Sequence, residues 1–260
     1  MFPIIFKYKI ITIGGYGVIL GIGFFISFLL LEREFKLRNI NPGFAYTILL
    51  TAIPSGLAGA RIFSILESSE NFNQFLANPI SIIYIRDGLS AYGGYILAFI
   101  MCAIIIKWKK MGILSVLDAA SPSLALGYCF GRFGCHVAGD GCFGIKTTSF
   151  WGTPYPNGII PSSIPVYPTP LFEVLVSFIA AGVLLNMRKL ELKEGRLFST
   201  FLILSGLPRF FVEFIRRNPE LISGISQAQV ISIFFVAAGI IGWIYTLKKR
   251  LPFKSTEENT

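Results

Sequence analysis

The most unusual stretch of this 260-residue chain is GYCFGRFGCHVAGDGCFG, residues 127–144, which combines six glycines with ionisable side chains. Arg132, His136 and Asp140 lie within nine residues of one another, next to an apolar segment. Backbone N–H groups of a glycine-rich turn can approach an anion closely, and an arginine can form two hydrogen bonds to phosphate oxygens. The pattern favours a site for a phosphate-bearing lipid headgroup, with a plain re-entrant loop as the alternative.

A second charged cluster lies in LPRFFVEFIRR, residues 207–217. Arg209 and Glu213 are four residues apart, so in a helix they share one face and can form an ion pair. The pair could simply neutralise itself and allow the helix to insert into a membrane. Because charges within membrane helices are rare, the hypothesis of a functional site is preferred: a phosphate-binding arginine held by a carboxylate.

Two tyrosines and one acidic residue complete the candidate set. Tyr16 lies in the first apolar segment, Tyr92 opens the third in the sequence AYGG, and Glu173 follows in YPTPLFE, residues 167–173. Aromatic residues near the ends of membrane helices commonly anchor at the lipid interface. Interfacial anchoring is therefore the alternative to a chemical role for both tyrosines.

The elements that must position these residues are apolar. Hydrophobic residues make up 53% of the chain and charged residues 14%, with a mean hydropathy of +0.67, whereas ordinary soluble domains carry roughly 25% charged residues. A membrane helix needs about 20 apolar residues, and within lipid its backbone satisfies its own hydrogen bonds. We therefore predict an all-α integral membrane protein with about seven transmembrane helices. The segments lie near residues 11–31, 43–65, 89–106, 113–130, 170–187, 197–215 and 225–247.

Three of these segments contain residues that lipid-facing helices disfavour. The second contains Arg61, the fourth Asp118, and the sixth the Arg209 and Glu213 pair. A charge at mid-bilayer costs about 3 kcal/mol on insertion scales. These segments are therefore where a buried polar site is expected.

The net charge of +9 is distributed unevenly along the chain. Fourteen Lys and Arg residues fall on alternate loops, which the positive-inside rule places in the cytoplasm. The N-terminus is then outside and the C-terminus cytoplasmic, and the longest loop, residues 131–169, faces outward. This distribution argues against nucleic acid as a partner. The fourteen are Arg33, Lys36, Arg38, Lys107, Lys109, Lys110, Arg188, Lys189, Lys193, Arg196, Lys248, Lys249, Arg250 and Lys254.

The chain is predicted to form one polytopic membrane domain over residues 1–250, with an outer-face loop region at 131–169 and a short polar cytoplasmic tail at 251–260. Four cysteines are too few for a disulfide framework. Cys135 and Cys142 could pair, although nothing in the sequence requires it. A metal site built from these thiols with His136 and Asp140 lacks standard zinc spacing, so no metal is expected.

Residues 131–144, GRFGCHVAGDGCFG, resemble the motif GRxGNFxNxExxG of the prolipoprotein diacylglyceryl transferase family. Arg132 and four glycines match, and Asp140 takes the place of the family's acidic residue, with one extra residue before Gly144. The resemblance extends along most of the chain: Tyr16 and Gly17, Gly59 and Arg61, Gly93 and Gly94, TPLFE, and RFFVEFIR.

This chain departs from the family pattern at two positions. Tyr92 stands where the family usually has histidine, and Cys135 where it has asparagine. Histidine titrates near neutrality, whereas an unperturbed tyrosine titrates near about pH 10. The candidates for proton handling are therefore Tyr16, Tyr92 and His136, and His136, the only histidine, either takes this role or is structural.

The resemblance implies transfer of a diacylglyceryl group from phosphatidylglycerol to the lipobox cysteine of prolipoprotein signal peptides, in the bacterial plasma (inner) membrane. It implies seven spans, an outward N-terminus, surrounding membrane lipid and no cofactor. The competing interpretation is a non-catalytic lipid-binding or transport paralogue that kept the fold. The expected catalytic residues are Arg132, Arg209, Glu213, Tyr92, His136 and Asp140, and the expected substrate-binding residues are Tyr16, Arg61, Gly93, Gly94, Gly131, Gly134, Gly139, Gly144 and Glu173.

Overall fold

The computed structural model describes residues 2–8, 11–78, 90–190, 192–218, 220–222 and 224–248. The predicted tail at 251–260 lies outside the described residues. Within these ranges the chain is mostly helical, with three short antiparallel hairpins, β1 with β2, β3 with β4, and β5 with β6. In chain order the elements are β1 Ile4–Tyr8, β2 Ile11–Gly14, α1 Gly15–Leu37, α2 Phe44–Glu67, α3 Ser69–Ala77, α4 Ala91–Trp108, α5 Ile113–Ala138, β3 Thr153–Tyr155, β4 Ser162–Val166, α6 Thr169–Met187, α7 Arg196–Glu213, β5 Glu220–Ile222, β6 Ile225–Ser226 and α8 Gln227–Lys248.

Six of these helices, α1, α2, α4, α5, α6 and α8, are long and apolar enough to cross a membrane. They coincide with six of the seven predicted segments, which confirms the prediction of a multi-pass helical membrane protein. The remaining segment, the sixth, is also a helix, α7, but its 18 residues include Arg196, Arg209 and Glu213. Seven spans and the orientation of the termini stay predictions.

The structure differs from the sequence-based boundaries after the fourth segment. Helix α5 continues to Ala138, so the first eight residues of the predicted 131–169 loop region are helical. The helix ends at Gly139, which has a φ of +62°, a conformation that glycine adopts without steric cost. Arg132 and His136 therefore lie on a helix and not in a glycine-rich loop.

The chain packs as two compact units, of which the first comprises residues 1–34 and 117–260. In this unit, α5, α6 and α7 surround a small apolar core of Ala125, Ala181, Leu184 and Leu197. Helices α7 and α8 approach so closely that a Cβ on Gly206 would lie 2.8 Å from the Ser232 carbonyl oxygen, as small residues permit in membrane helix pairs.

The second unit comprises residues 35–116, in which α2 packs against α4. A Cβ on Gly59 would lie 2.4 Å from the carbonyl oxygen of Gly93, so both glycines are needed for this close helix approach. A single domain over residues 1–250 stays a prediction.

Asp118 has a structural role in the first unit. Its carboxylate accepts hydrogen bonds from the backbone N–H groups of Gly195 at 2.7 Å and Phe198 at 2.8 Å. These donors lie at the beginning of α7, where helical N–H groups have no partner within the helix. Near this end of the unit, Glu34 of α1 also forms an ion pair with Arg188, which follows α6. The charged residue of the fourth segment, Asp118, thus serves as a cap for α7.

Candidate active site

Glu173 is a buried carboxylate at the centre of a charged cluster in the first unit. It occupies the second turn of α6, and only 3% of its surface is exposed. Its Oε1 accepts a hydrogen bond from the Tyr128 hydroxyl at 2.7 Å. Three guanidinium groups lie within 4 Å of its carboxylate: Arg132 Nε at 3.4 Å, Arg209 Nη1 at 3.7 Å and Arg216 Nη1 at 3.6 Å. We call these three arginines with Tyr128, Glu173 and Glu213 the arginine cluster.

Helix α5 supplies Tyr128 and Arg132, which are four residues apart and therefore share one face. The Arg132 Nε donates a hydrogen bond to the Tyr128 hydroxyl oxygen at 2.9 Å. The guanidinium carbon also lies 4.9 Å from the centroid of the Tyr128 ring, a cation–π contact. These contacts fix the direction of the predicted catalytic arginine.

The predicted pair of Arg209 and Glu213 is confirmed on α7, with 2.6 Å between Arg209 Nη1 and Glu213 Oε2. The other oxygen of Glu213 accepts hydrogen bonds from Asn218 Nδ2 at 2.6 Å and from the Ser226 hydroxyl at 2.7 Å. A carboxylate held by three side chains is well suited to orienting Arg209.

Arg216 joins the cluster from beyond the end of α7, where the chain pairs with a distant segment. Gly144 forms a β-bridge with Arg216, and the Ile145 N–H donates to the Ile215 carbonyl oxygen at 2.9 Å. A Cβ on Gly144 would lie 2.3 Å from that same oxygen, so the bridge requires glycine there. The predicted glycine thus positions an arginine that the sequence pattern did not single out.

The cluster has an excess of positive charge and spare hydrogen-bonding capacity. Its three guanidinium groups and two carboxylates leave one formal positive charge. The Arg216 side chain is 7% exposed, and its Nη1 makes no hydrogen bond within the described part of the chain. Buried donors normally have a partner, so this group is suited to a ligand oxyanion.

Asp140 lies outside the arginine cluster, in the turn that follows α5. Gly139 and Gly141 have φ values of +62° and +89°, and Asp140 Oδ1 accepts a hydrogen bond from the Cys142 N–H at 3.1 Å. The predicted glycine at 139 also lies against Gly158, where an added Cβ would come within 2.6 Å of the Gly158 Cα. These residues fold the chain back along the end of α5.

The turn brings Cys142 next to Arg132, with 4.0 Å between the Cys142 Sγ and Arg132 Nη1. The Sγ atoms of Cys135 and Cys142 and a carboxylate oxygen of Asp140 all lie within 4.8 Å of one another. A hydrogen bond from the Cys135 thiol, with the charges of Arg216 and Arg132, lowers the pKa of Cys142 although burial and Asp140 raise it. Two nearby guanidinium groups favour a thiolate here and oppose the binding of a cation.

His136 contacts the side chain of Tyr155. Its Nδ1 lies 3.0 Å from the hydroxyl oxygen of Tyr155, which is fully buried in the loop core with Phe143 and Val166. Burial and the charge of Asp140 raise the pKa of Tyr155, so this hydroxyl keeps its proton at neutral pH.

The remaining predicted residues of this unit lie along α1 and α5. A Cβ on Gly134 would lie 3.0 Å from Cδ2 of Tyr16, so Gly134 allows the Tyr16 ring to approach α5. Gly131 has open space where its side chain would be: among the described residues, no atom outside its own helical turn lies within 4 Å.

Four predicted residues belong to the second unit. Arg61 and Tyr92 are half-buried on α2 and α4. Gly93 and Gly94 lie against α2: an added Cβ would come within 2.6 Å of the Gly59 carbonyl oxygen and 3.0 Å of the Gly56 carbonyl oxygen, respectively. This gives both glycines a packing role, and their contact with substrate stays a prediction.

Comparison with known proteins agrees with the motif. The family model described as prolipoprotein diacylglyceryl transferase matches residues 3–245. A phosphatidylglycerol–prolipoprotein diacylglyceryl transferase of Clostridium tetani is 31% identical over 242 residues, which cover 92% of this chain and 96% of the relative. A second, of Clostridium perfringens, is 32% identical over 95% of this chain and 96% of the relative. A third, of Leptospira interrogans, is 29% identical over 94% of this chain and 91% of the relative.

Proposed function

Because the chain belongs to the prolipoprotein diacylglyceryl transferase family, we propose that it transfers a diacylglyceryl group from phosphatidylglycerol to the lipobox cysteine thiol of prolipoprotein signal peptides. The observation that carries this proposal is the arginine cluster around the buried Glu173, whose three guanidinium groups exceed its two carboxylates by one positive charge. A phosphodiester carries one negative charge, so the charges match.

The reaction forms one bond and breaks another. The substrate thiol loses its proton, and the thiolate sulfur attacks the glyceryl carbon that carries the phosphate ester. An S–C bond forms while the C–O bond breaks, and the bonding electron pair leaves on the phosphate oxygen as glycerol phosphate. Negative charge therefore grows on the phosphate in the transition state, where preorganised cationic donors are most effective.

Arg132, Arg209 and Arg216 are the residues that bind and stabilise this phosphate. Their directions are set in advance by Glu173 and Glu213, through the ion pairs that join α5, α6 and the end of α7. The two glutamates are therefore positioning residues. Preorganised donors need no reorganisation as the leaving group develops its charge.

His136 is the group that we assign to accept the thiol proton. Tyr128, Arg132 and His136 follow one another at intervals of four residues on α5, so His136 extends the face that carries the arginine. When Nδ1 donates to the Tyr155 oxygen, Nε2 is left as the basic nitrogen. Asp140 and Glu213 are already held by other donors, and Tyr16 and Tyr92 are the alternative candidates for proton handling.

In the membrane, α7 adds a further span to the six apolar helices and makes seven in all, with the N-terminus outside and the C-terminus cytoplasmic in the bacterial plasma membrane. The charge of α7 is compatible with this position because Arg209 and Glu213 neutralise each other and Arg196 is its first residue. The ion pair of Glu34 and Arg188 supports the placement of both of their loops on the same, cytoplasmic side.

Rescue of a bacterial strain depleted of its own transferase tests the proposed function. The full chain is expected to restore growth and lipoprotein modification, whereas Arg132→Ala is expected to fail while reaching the membrane in equal amount. If the wild-type chain is present in the membrane and does not rescue, the activity is contradicted and the non-catalytic lipid-binding paralogue is favoured.

A further inference from the structure

The turn after α5 returns the chain to the helix end that it has just left. The Gly139 N–H donates to the Cys135 carbonyl oxygen at 2.9 Å, and the positive φ values of Gly139 and Gly141 reverse the chain direction. The Cys142 backbone is then held on both sides, by Asp140 at its N–H and by the Thr169 hydroxyl at its carbonyl oxygen, at 2.6 Å. As a result, two thiols separated by six residues face each other.

Their chemical environment differs from that of the other two cysteines. Cys102 lies on α4 and Cys129 is buried on α5, where its thiol contacts the Val174 carbonyl oxygen. The Sγ atoms of Cys135 and Cys142 lie within 4.8 Å of each other, and Arg132 Nη1 lies 4.0 Å from the Cys142 Sγ. A thiolate beside arginine is a nucleophile, and a neighbouring thiol can resolve the mixed disulfide that it forms.

We propose that Cys135 and Cys142 are a redox-reactive dithiol that external disulfides convert to an internal disulfide, and that this modification inactivates the arginine cluster. The inactivation, but not the disulfide itself, rests on the proposed transferase function.

The exchange balances with one external disulfide as the oxidant. The Cys142 thiolate attacks a sulfur of the external disulfide, which forms a mixed disulfide and releases one thiolate. The Cys135 thiol then loses its proton and attacks the Cys142 sulfur, which releases the second thiolate. Two protein thiols are oxidised, the external disulfide is reduced to two thiols, and the two protons remain on those products at neutral pH.

Oxidation alters the cluster through the geometry of the turn. A disulfide has an S–S length of about 2.05 Å, so sulfur atoms that now lie up to 4.8 Å apart must move together. Cys142 is two residues before Gly144, which forms the bridge to Arg216, and its Sγ contacts Arg132. Displacement of reacting groups by about 1 Å can cost about a hundredfold in rate.

The test uses the full chain in detergent with chelator present, incubated with glutathione disulfide and analysed by intact mass and by maleimide labelling. We expect the protein to lose two hydrogen atoms in mass and two of its four free thiols, counted by maleimide labelling after denaturation, reversibly with dithiothreitol. Cys135→Ser and Cys142→Ser should each abolish this change, whereas the control variants Cys102→Ser and Cys129→Ser should retain it. Four reactive thiols after oxidation, or the same mass loss in Cys135→Ser, would overturn the dithiol.

Activity forms the second arm of the same test. Oxidation should lower the thioether-forming rate of the wild-type protein at least about tenfold, and leave the rate of Cys142→Ser, which lacks the attacking thiol, insensitive to the oxidant. A disulfide that forms without loss of rate contradicts the inactivation. A protein that forms the disulfide but has no activity when reduced contradicts the proposed function and leaves the dithiol standing.

Discussion

Tyr128 donates its hydroxyl hydrogen to Oε1 of Glu173 at 2.7 Å and so links α5 to α6 inside the first unit. The same hydroxyl oxygen accepts a hydrogen bond from Arg132 at 2.9 Å, so one tyrosine joins the central carboxylate to the first arginine. Networks of buried charged groups in which each group is held by another are rigid, and removal of one member leaves the others with unpaired charge.

Glu173→Gln should therefore damage both stability and activity. The amide keeps the shape of the side chain but removes the charge that three guanidinium groups share. Breaking a buried pair by removing one partner costs about 3–5 kcal/mol, so we expect a clearly lower thermal midpoint and at least about a hundredfold loss of kcat/KM. Tyr128→Phe, which removes one neutral donor, serves as the milder comparison. Equal stability of Glu173→Gln and wild type would contradict the central position of this carboxylate.

Gly144→Ala should lower activity by shifting Arg216. An added Cβ would lie 2.3 Å from the Ile215 carbonyl oxygen, which is backbone and can move only if the bridge opens. Gly182→Ala on α6 is the matched control, because within the described part of the chain its added Cβ has no neighbour within 4 Å outside its own helical turn. Steady-state kinetics of the two purified variants should show a large loss of rate for the first and a near wild-type rate for the second. Similar rates for both would mean that the bridge does not position the arginine.

Asp118→Ala should affect stability much more than catalysis, because its carboxylate caps the beginning of α7. Loss of a capping side chain typically costs about 0.5–2 kcal/mol. We expect a lower thermal midpoint and, at a temperature where the variant is folded, a kcat close to that of wild type. Asp118→Asn keeps one acceptor oxygen, so its thermal midpoint should lie between those of wild type and Asp118→Ala. A folded Asp118→Ala protein without activity would instead place this residue in the polar site that the sequence suggested.

The lowered pKa of Cys142 predicts how its alkylation depends on pH. The reactive form is the thiolate, whose fraction rises as pH increases through the pKa, so the rate should reach half its maximum below the pH of an ordinary thiol. Cys135→Ala removes the largest cause, the thiol hydrogen bond, and should move this midpoint to higher pH. Asp140→Asn removes a charge that raises the pKa and should move it to lower pH. Rates followed by peptide mass spectrometry with iodoacetamide test both signs, and an unmoved midpoint in Cys135→Ala would refute the assigned cause.

Local spacing in the sequence was sufficient to predict part of this architecture. Apolar runs located the helices, and the interval of four residues was enough to pair Arg209 with Glu213. The hairpins were not predicted, because strands of two to five residues are too short to show an alternating pattern. The extension of α5 to Ala138 was obscured by glycines that usually interrupt helices.

Non-local contacts explain what the sequence did not reveal about the site. Arg216 lies beyond the end of α7, and its place beside Glu173 depends on a bridge to Gly144, which is distant in sequence. Tyr128 lies in an apolar run, where an aromatic residue is usually part of the core. Its interval of four residues from Arg132 was the available signal. Asp118 was predicted to mark a polar site. Its capping role was not predicted, because α7, whose beginning it caps, is also distant in sequence.

The most direct test of the central claim compares two adjacent arginines in one assay. Purified wild type, Arg216→Ala and Arg217→Ala are given phosphatidylglycerol and a lipobox peptide, and the diacylglyceryl thioether is measured by mass spectrometry. Arg216 is buried beside Glu173, whereas Arg217 is exposed and lies over the Phe143 ring. We expect product from wild type, a nearly unchanged rate for Arg217→Ala and at least about a hundredfold loss for Arg216→Ala, as for other preorganised donors. No product from folded wild-type protein, or equal rates for the two variants, would contradict the account.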